Sequence, residues 1–221
     1  MILNDLLFII PARKNSIRLK DKNIRKIGGK TLVQWSIDFA LSSKISLYNI
    51  IVSTDSEKII NISKRNCVLF IKRNRKLSGK NAKSEDVILN TLNWYNKNYK
   101  ERFSKIKAIA LLQPTSPFRS YKIFIKAYKF FLKKKADNIF SATSISIQKN
   151  TQNNFLKKNI KPNGNFYITR LKFFLKNKSL FLGNSYGYII KNKNLLVDID
   201  TLKDYQKAKF FLRKFKASIK K

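Results

Sequence analysis

The sequence predicts an α/β protein: one domain on a largely parallel, buried sheet with helices on both faces. Three observations carry this. At 221 residues the chain can bury a full core yet remain one main domain over residues 1–221. Apolar runs of strand length alternate with amphipathic stretches, as in successive strand–helix units. Hydrophobic residues make up 43% of the chain, but no apolar run approaches the roughly 20 residues of a membrane span.

The elements follow in order. Leu6 to Ile10 reads as the first strand, after which Leu32, Trp35, Phe39 and Ala40 recur at helical spacing. Asn49 to Ser53 is a second buried strand, stopped by Thr54-Asp55-Ser56, polar residues suited to a helix N-cap. Val68 to Ile71 is a third strand. A helix over Ser84 to Asn96 carries Glu85 and Asp86 in its first turn, where acids favour the positive end of the helix dipole. Ile106 to Leu112 is a fourth strand, Tyr121 to Lys135 a helix, and Asn138 to Thr143 and Asn165 to Thr169 two further strands. Between these two, Ser146 to Asn163 has little periodicity and reads as an excursion from the sheet. Leu195 to Ile199 reads as a last core strand. Thr201 to Lys216 closes the chain as a helix, with a Thr201–Asp204 capping box and Tyr205, Ala208, Leu212 and Phe215 on one face.

Composition narrows the chemistry. Cys67 is the only cysteine and histidine is absent, so disulfide frameworks, multi-thiolate zinc sites and imidazole mechanisms are excluded. Carboxylates, hydroxyls, amides, Lys and Arg remain. Met1 to Asp5 has no signal-peptide character, so a cytoplasmic location is expected. The net charge of +36 has two readings. One is coding bias toward A and T, since the lysines are scattered among abundant Asn and Ile. The other is a real attraction to phosphates, in a nucleotide, a nucleic acid or a membrane surface. Scatter disfavours a nucleic-acid or membrane partner.

The segment Pro11-Ala12-Arg13-Lys14-Asn15-Ser16-Ile17-Arg18-Leu19-Lys20-Asp21-Lys22-Asn23 follows the first strand directly. Open α/β sheets bind ligands at the carboxyl ends of their strands. A triphosphate requires exposed N–H groups, small polar side chains and cations on several sides, all of which this loop can offer. The alternative is a solvated basic loop in a Lys-rich chain.

The motif Pro-Ala-Arg-x-x-Ser with Lys22-Asn23, then Gly28-Gly29-Lys30-Thr31-Leu32 and Ile51-Val52-Ser53-Thr54-Asp55, resembles the amino-terminal half of the CMP-sialic acid synthetases. Leu111-Leu112-Gln113-Pro114-Thr115-Ser116-Pro117-Phe118-Arg119 is similar to that family's Leu-Leu-Gln-Pro-Thr-Ser-Pro-Leu-Arg. Pro162-Asn163-Gly164-Asn165-Phe166-Tyr167-Ile168, Leu180-Phe181 and Asp198-Ile199-Asp200-Thr201 continue the resemblance to about residue 208. It implies a Rossmann-like nucleotidyltransferase fold and transfer of CMP from CTP to a nonulosonic acid sugar. Arg13 would stabilise the leaving pyrophosphate and Lys22 would lie at the α-phosphate. Ala12, Asn15, Ser16, Arg18 and Asn23 would bind the nucleotide, and Arg73 and Ser84 the cytosine. Gln113, Tyr167 and Phe181 are sugar-side candidates, and a homodimer is implied.

Asp198 and Asp200, alternate residues of an expected strand, would point to one face and could share Mg²⁺ across triphosphate oxygens. Their alternative role is an N-cap carboxylate with a solvated neighbour. The sequence departs from the family in three places. Ile17 stands where a lysine is usual, leaving Arg18 or Lys14 to supply the charge. Lys80 replaces an Asp in Lys80-Asn81-Ala82-Lys83-Ser84. The excursion, 146–190 at its widest, is shortened and has no Arg between Ser146 and Asn163. Such shortening keeps pseudaminic, legionaminic and 3-deoxy-octulosonic acids open as acceptors. A non-catalytic nucleotide- or nucleic-acid-binding relative is the rival from another class.

Overall fold

The computed structural model describes residues 3–79, 81–145 and 159–219. Strand β1 (Leu6–Pro11) has its first five residues fully buried, as expected of a central strand covered on both faces. A small hairpin follows, β2 (Lys26–Ile27) and β3 (Lys30–Thr31), closed by Gly28 and Gly29 at φ +60° and +82°. The positive φ of Gly28 is what favours glycine at the turn, and the end of the Leu212 side chain packs closely against it. Thr31 caps α1 (Leu32–Ser42), its hydroxyl accepting from the Gln34 N–H.

Next come β4 (Ile50–Thr54), α2 (Glu57–Arg65), β5 (Leu69–Lys72), α3 (Ser84–Asn98), the short α4 (Lys100–Phe103) and β6 (Ala108–Leu111). The chain continues through α5 (Tyr121–Lys133), β7 (Asn138–Ile145), β8 (Asn159–Arg170), α6 (Leu171–Asn177), β9 (Ser185–Ile189) and α7 (Leu202–Ile219). Seven strands form one sheet in the order β5-β4-β1-β6-β8-β7-β9. All its pairings are parallel except those of β8, which runs antiparallel to β6 and β7.

Period-two alternation sorts β1 between two cores. Leu6, Phe8 and Ile10 face α1, α2, α5 and α7, whereas Leu7 and Ile9 face α3, α4 and α6. Helices thus cover both faces, as expected. On the first face Phe8, Phe39 and Phe166 pack around Phe124, with ring centroids 5.3 to 5.5 Å from it. Such pairs add about 0.5–1.5 kcal/mol each beyond area burial. The Thr201–Asp204 capping box is present in both directions, and Ala208 is buried on the inner face of α7. Nothing is described of the Phe215 side chain.

Some expectations are corrected. Leu195–Ile199 is not a strand: a 3₁₀ turn over Lys193–Leu195 leads into irregular chain. Leu195 and Ile199 are buried because they plug the core beneath the β6 loop, and the Ile199 N–H donates to the Thr115 carbonyl (2.8 Å). Apolar spacing there reports burial without a ladder. Ser56 holds the N-cap position of α2 but makes no side-chain capping bond. Its neighbour Asp55 instead accepts from the Lys14 N–H (2.6 Å), serving the basic loop. The last residues assigned to the excursion, 159–163, belong to the twelve-residue β8. Residues 146–158 and Lys80 lie outside the described residues. No helix among the described residues is long and apolar enough to cross a membrane.

Candidate active site

The loops after β1, β5 and β6, with the Asp198–Asp200 segment, enclose a cleft of about 310 Å³ at the carboxyl ends of the parallel strands. The basic loop forms one wall and is anchored at several points. The Ala12 N–H donates to the Ser53 carbonyl (2.9 Å), Asn23 Nδ2 to the Arg13 carbonyl (2.8 Å), and Leu19 is buried. Arg13, Lys22 and Asn23 line the cleft. Arg13 Nη1 also donates to the Gly79 carbonyl (2.9 Å), tying this loop to the one after β5.

The residues expected to bind the nucleotide divide. Ser84, first residue of α3, and Arg73 line the cleft. Arg73 is also a structural clamp, with Nε and Nη2 on the Ser53 carbonyl (3.0 and 2.7 Å) and Nη1 on that of Leu77 (3.3 Å). Burial lowers its pKa to about 10 despite the attraction of Asp55, with Arg13 adding to the lowering. Ala12 is fully buried, so only its backbone is at hand. Asn15, Ser16 and Arg18 are not among the cleft-lining residues; Asn15 and Arg18 are exposed and Ser16 half-buried. Arg18 reaches Asp200.

Asp198 and Asp200 both line the cleft, although no strand presents them. Asp200 accepts from Lys22 Nζ on one oxygen (2.7 Å) and from Arg18 Nη2 on the other (2.8 Å). Asp198 has an open side toward the cleft, yet desolvation raises its carboxyl pKa, and Asp200 and Asp204 push the same way. A hydrogen bond with Thr115 and the charge of Lys22 pull against the rise. A hard divalent cation would relieve the same unfavourable charge, and an all-oxygen donor pair suits it. No group of three acidic or thiol ligands gathers among the described residues, so phosphate oxygens and water would complete the shell.

Gln113 lines the cleft, whereas Tyr167 and Phe181 stand behind it as an edge-to-face pair, centroids 5.8 Å apart. Burial raises the Tyr167 pKa to about 12, helped by Asp198 and opposed by a hydrogen bond from Gly164. Gly164 has φ +78°, and a Cβ there would lie 2.7 Å from Ser116 Oγ and 2.9 Å from Gln113 Oε1. Glycine is therefore what lets β8 close against the β6 loop.

Two residues acquire roles that motif reading did not assign. Arg119 is buried and joins three elements: Nε to the Asn165 carbonyl (2.6 Å), Nη1 to Ser36 Oγ (3.1 Å) and Nη2 to the Gln113 carbonyl. Desolvation lowers its pKa to about 9, and Asp198 is the charge that opposes this. Asn163 accepts from the Asn165 N–H (3.2 Å) through Oδ1, which leaves Nδ2 buried without a partner beside the Gln113 loop. The only sequence sign of either was membership of a motif.

Comparison with known proteins agrees with this geometry. A family described as cytidylyltransferase matches residues 7–219. A pseudaminic acid cytidylyltransferase of Campylobacter jejuni is 30% identical over 231 residues, spanning 94% of this chain and 96% of that protein. An N-acylneuraminate cytidylyltransferase of Streptococcus agalactiae is 28% identical over 89% of this chain, which spans 51% of that protein's length. Among solved structures, CMP:2-keto-3-deoxy-manno-octonic acid synthetase complexed with CTP superposes with a TM-score of 0.68 at 14% identity, covering 95% of this chain and 98% of that one. That likeness shows the fold, and the family match extends over nearly the whole chain: it belongs to the cytidylyltransferase family.

Proposed function

We propose that the cleft activates a nonulosonic acid sugar with CTP, yielding a CMP-sugar and pyrophosphate. The observation that carries this reading is the convergence in one cleft of Arg13, Lys22 and Asn23 with Asp198 and Asp200, cations and carboxylates from opposite ends of the chain. That arrangement suits a triphosphate. The anomeric hydroxyl attacks the α-phosphorus in line, giving up its proton to solvent, and the bond to the pyrophosphate oxygen breaks. Positioning and charge neutralisation supply most of the acceleration in such a transfer.

Arg13 holds the departing pyrophosphate and Lys22 the α-phosphate. Asn23, its amide nitrogen committed to the Arg13 carbonyl, offers an oxygen to a ribose hydroxyl. Arg73 and Ser84 form the cytosine end, and the backbone of Ala12 with Asn15 and Ser16 lies at the phosphate rim. Asp198 and Asp200 would hold Mg²⁺, which would supply charge neutralisation for the displacement. Gln113 faces the sugar, backed by Tyr167 and Phe181 and joined by Asn163 Nδ2, which has no partner. A second reading, pseudaminic acid as the acceptor, is favoured by the near-complete mutual coverage with the Campylobacter protein. A homodimer belongs to the proposal, supported by β9 as a sheet edge and by exposed Ile160, Leu182 and Ile189.

The test is pyrophosphate release from CTP and Mg²⁺ with a panel of acid sugars, the product identified by mass. One sugar should give a CMP adduct. Absence of release with every sugar, together with absence of CTP binding, would sink the reading.

A further inference from the structure

Asp200 presents both carboxylate oxygens to cations, and the two cations are unlike. Lys22, its side chain 12% exposed, is lodged in the wall of the cleft, whereas the Arg18 side chain is 66% exposed. Arg18 reaches Asp200 through one guanidinium nitrogen, at 2.8 Å. The residue before it, Ile17, is 64% exposed and offers no charge. An exposed ion pair of this kind is held weakly and exchanges readily. A phosphate offers the planar guanidinium a two-pronged, charge-assisted partner, which is better than a single contact to one carboxylate oxygen.

Resting on the cytidylyltransferase reading, we propose that Arg18 is a mobile guard of Asp200. In the nucleotide-free protein it occupies one carboxylate oxygen, with Lys22 on the other, and opposes a divalent cation there. When a nucleoside triphosphate enters, Arg18 moves onto the phosphate oxygens and leaves that Asp200 oxygen open to the cation. One side chain thereby adds to nucleotide affinity and withholds the cation site until the nucleotide is present. Nucleotide and cation must then strengthen each other's binding, because coupling between two sites is reciprocal.

Mn²⁺ binding to the nucleotide-free protein, read from the electron paramagnetic resonance of free Mn²⁺, tests this without turnover. Arg18→Ala should bind Mn²⁺ on the order of 10-fold more tightly than the unaltered protein, and CTP in EDTA on the order of 10-fold more weakly. Arg18→Lys should fall between, and Asp200→Asn should lose Mn²⁺ binding. Arg18 lies on the surface, so its substitution leaves the core intact, and a thermal melt of each variant checks folding. Unchanged Mn²⁺ affinity in Arg18→Ala, unchanged CTP affinity in EDTA, or full Mn²⁺ binding by Asp200→Asn would each overturn the proposal. If the unaltered protein binds no CTP, the functional reading fails and takes the guard with it. If it binds CTP and Arg18→Ala behaves identically, only the guard fails.

Discussion

The two ends of the cleft are built differently. At the end proposed to take the nucleotide, groups of the basic loop and Arg73 are tied into the frame: Lys14 N–H to Asp55, Asn23 to the Arg13 carbonyl, Arg13 to Gly79, Arg73 to Ser53. Beyond β6 the picture reverses. The buried side-chain atoms without partners among the described residues are Asn138 Oδ1, Asn163 Nδ2, Thr169 Oγ1 and Ser185 Oγ, all on β7, β8 and β9. Asn138 is in register with Thr169 on one side and Ser185 on the other, so three of the four form a single row at the amino ends of β7 and β9, away from the cleft, and only Asn163 stands beside the Gln113 loop. A buried polar group without a partner costs about 1–3 kcal/mol. The basic-loop side of the cleft is thus tied into the frame, whereas beside the Gln113 loop Asn163 Nδ2 retains unspent hydrogen-bonding capacity for water or a ligand.

That contrast can be broken by substitution, beginning with the largest effect. Asp198→Asn and Asp200→Asn should each lower turnover by on the order of 100-fold, the scale of one lost transition-state charge partner; unchanged steady-state rates in both would remove the cation assignment. Asp198→Asn should also raise the melting temperature at neutral pH. The sign follows from its raised pKa. The fold favours the protonated carboxyl, so ionisation above the folded pKa opposes folding, and that penalty fades as pH falls through it.

Arg119→Met should destabilise the fold by at least about 3 kcal/mol, since two carbonyls and a hydroxyl lose their donor at roughly 1–3 kcal/mol each. Chemical denaturation measures this, and a loss below about 1 kcal/mol would show that Arg119 does not join the two ends. Phe181→Ala is the smallest change. It removes two edge-to-face contacts, with Phe140 and Tyr167, so stability should fall by about 1–2 kcal/mol, while KM for the sugar should rise on the order of 10-fold with KM for CTP unaltered. An equal rise in both would place Phe181 outside the sugar end.

Legibility in the sequence follows the same division. β1, β4, β6 and α1 announce themselves through continuous apolar runs and helical spacing, because they pack against neighbours on both sides of the sheet. The α6 helix, Leu171–Asn177, went unread because two turns carrying Leu171 and Phe174 are too short for a period. Strand β9 went unread because Ser185-Tyr186-Gly187-Tyr188-Ile189 at a sheet edge needs no apolar run. Asp198 and Asp200 reach the cleft, but tertiary packing of Leu195 and Ile199 puts them there, not strand alternation. Arg119 could not be assigned at all from local spacing, since its partners Ser36 and Asn165 lie 83 and 46 residues away.

The central claim is that this cleft takes CTP at its preorganised end, and is not one basic surface among many on a chain of charge +36. Hydrogen exchange with and without CTP, with ATP and UTP as comparators at physiological salt, addresses it most directly. CTP should protect residues 11–23 and 73–87 selectively, with on the order of 10-fold preference over the other nucleotides. Equal weak protection by all three, spread over the lysine-bearing helices, would contradict it.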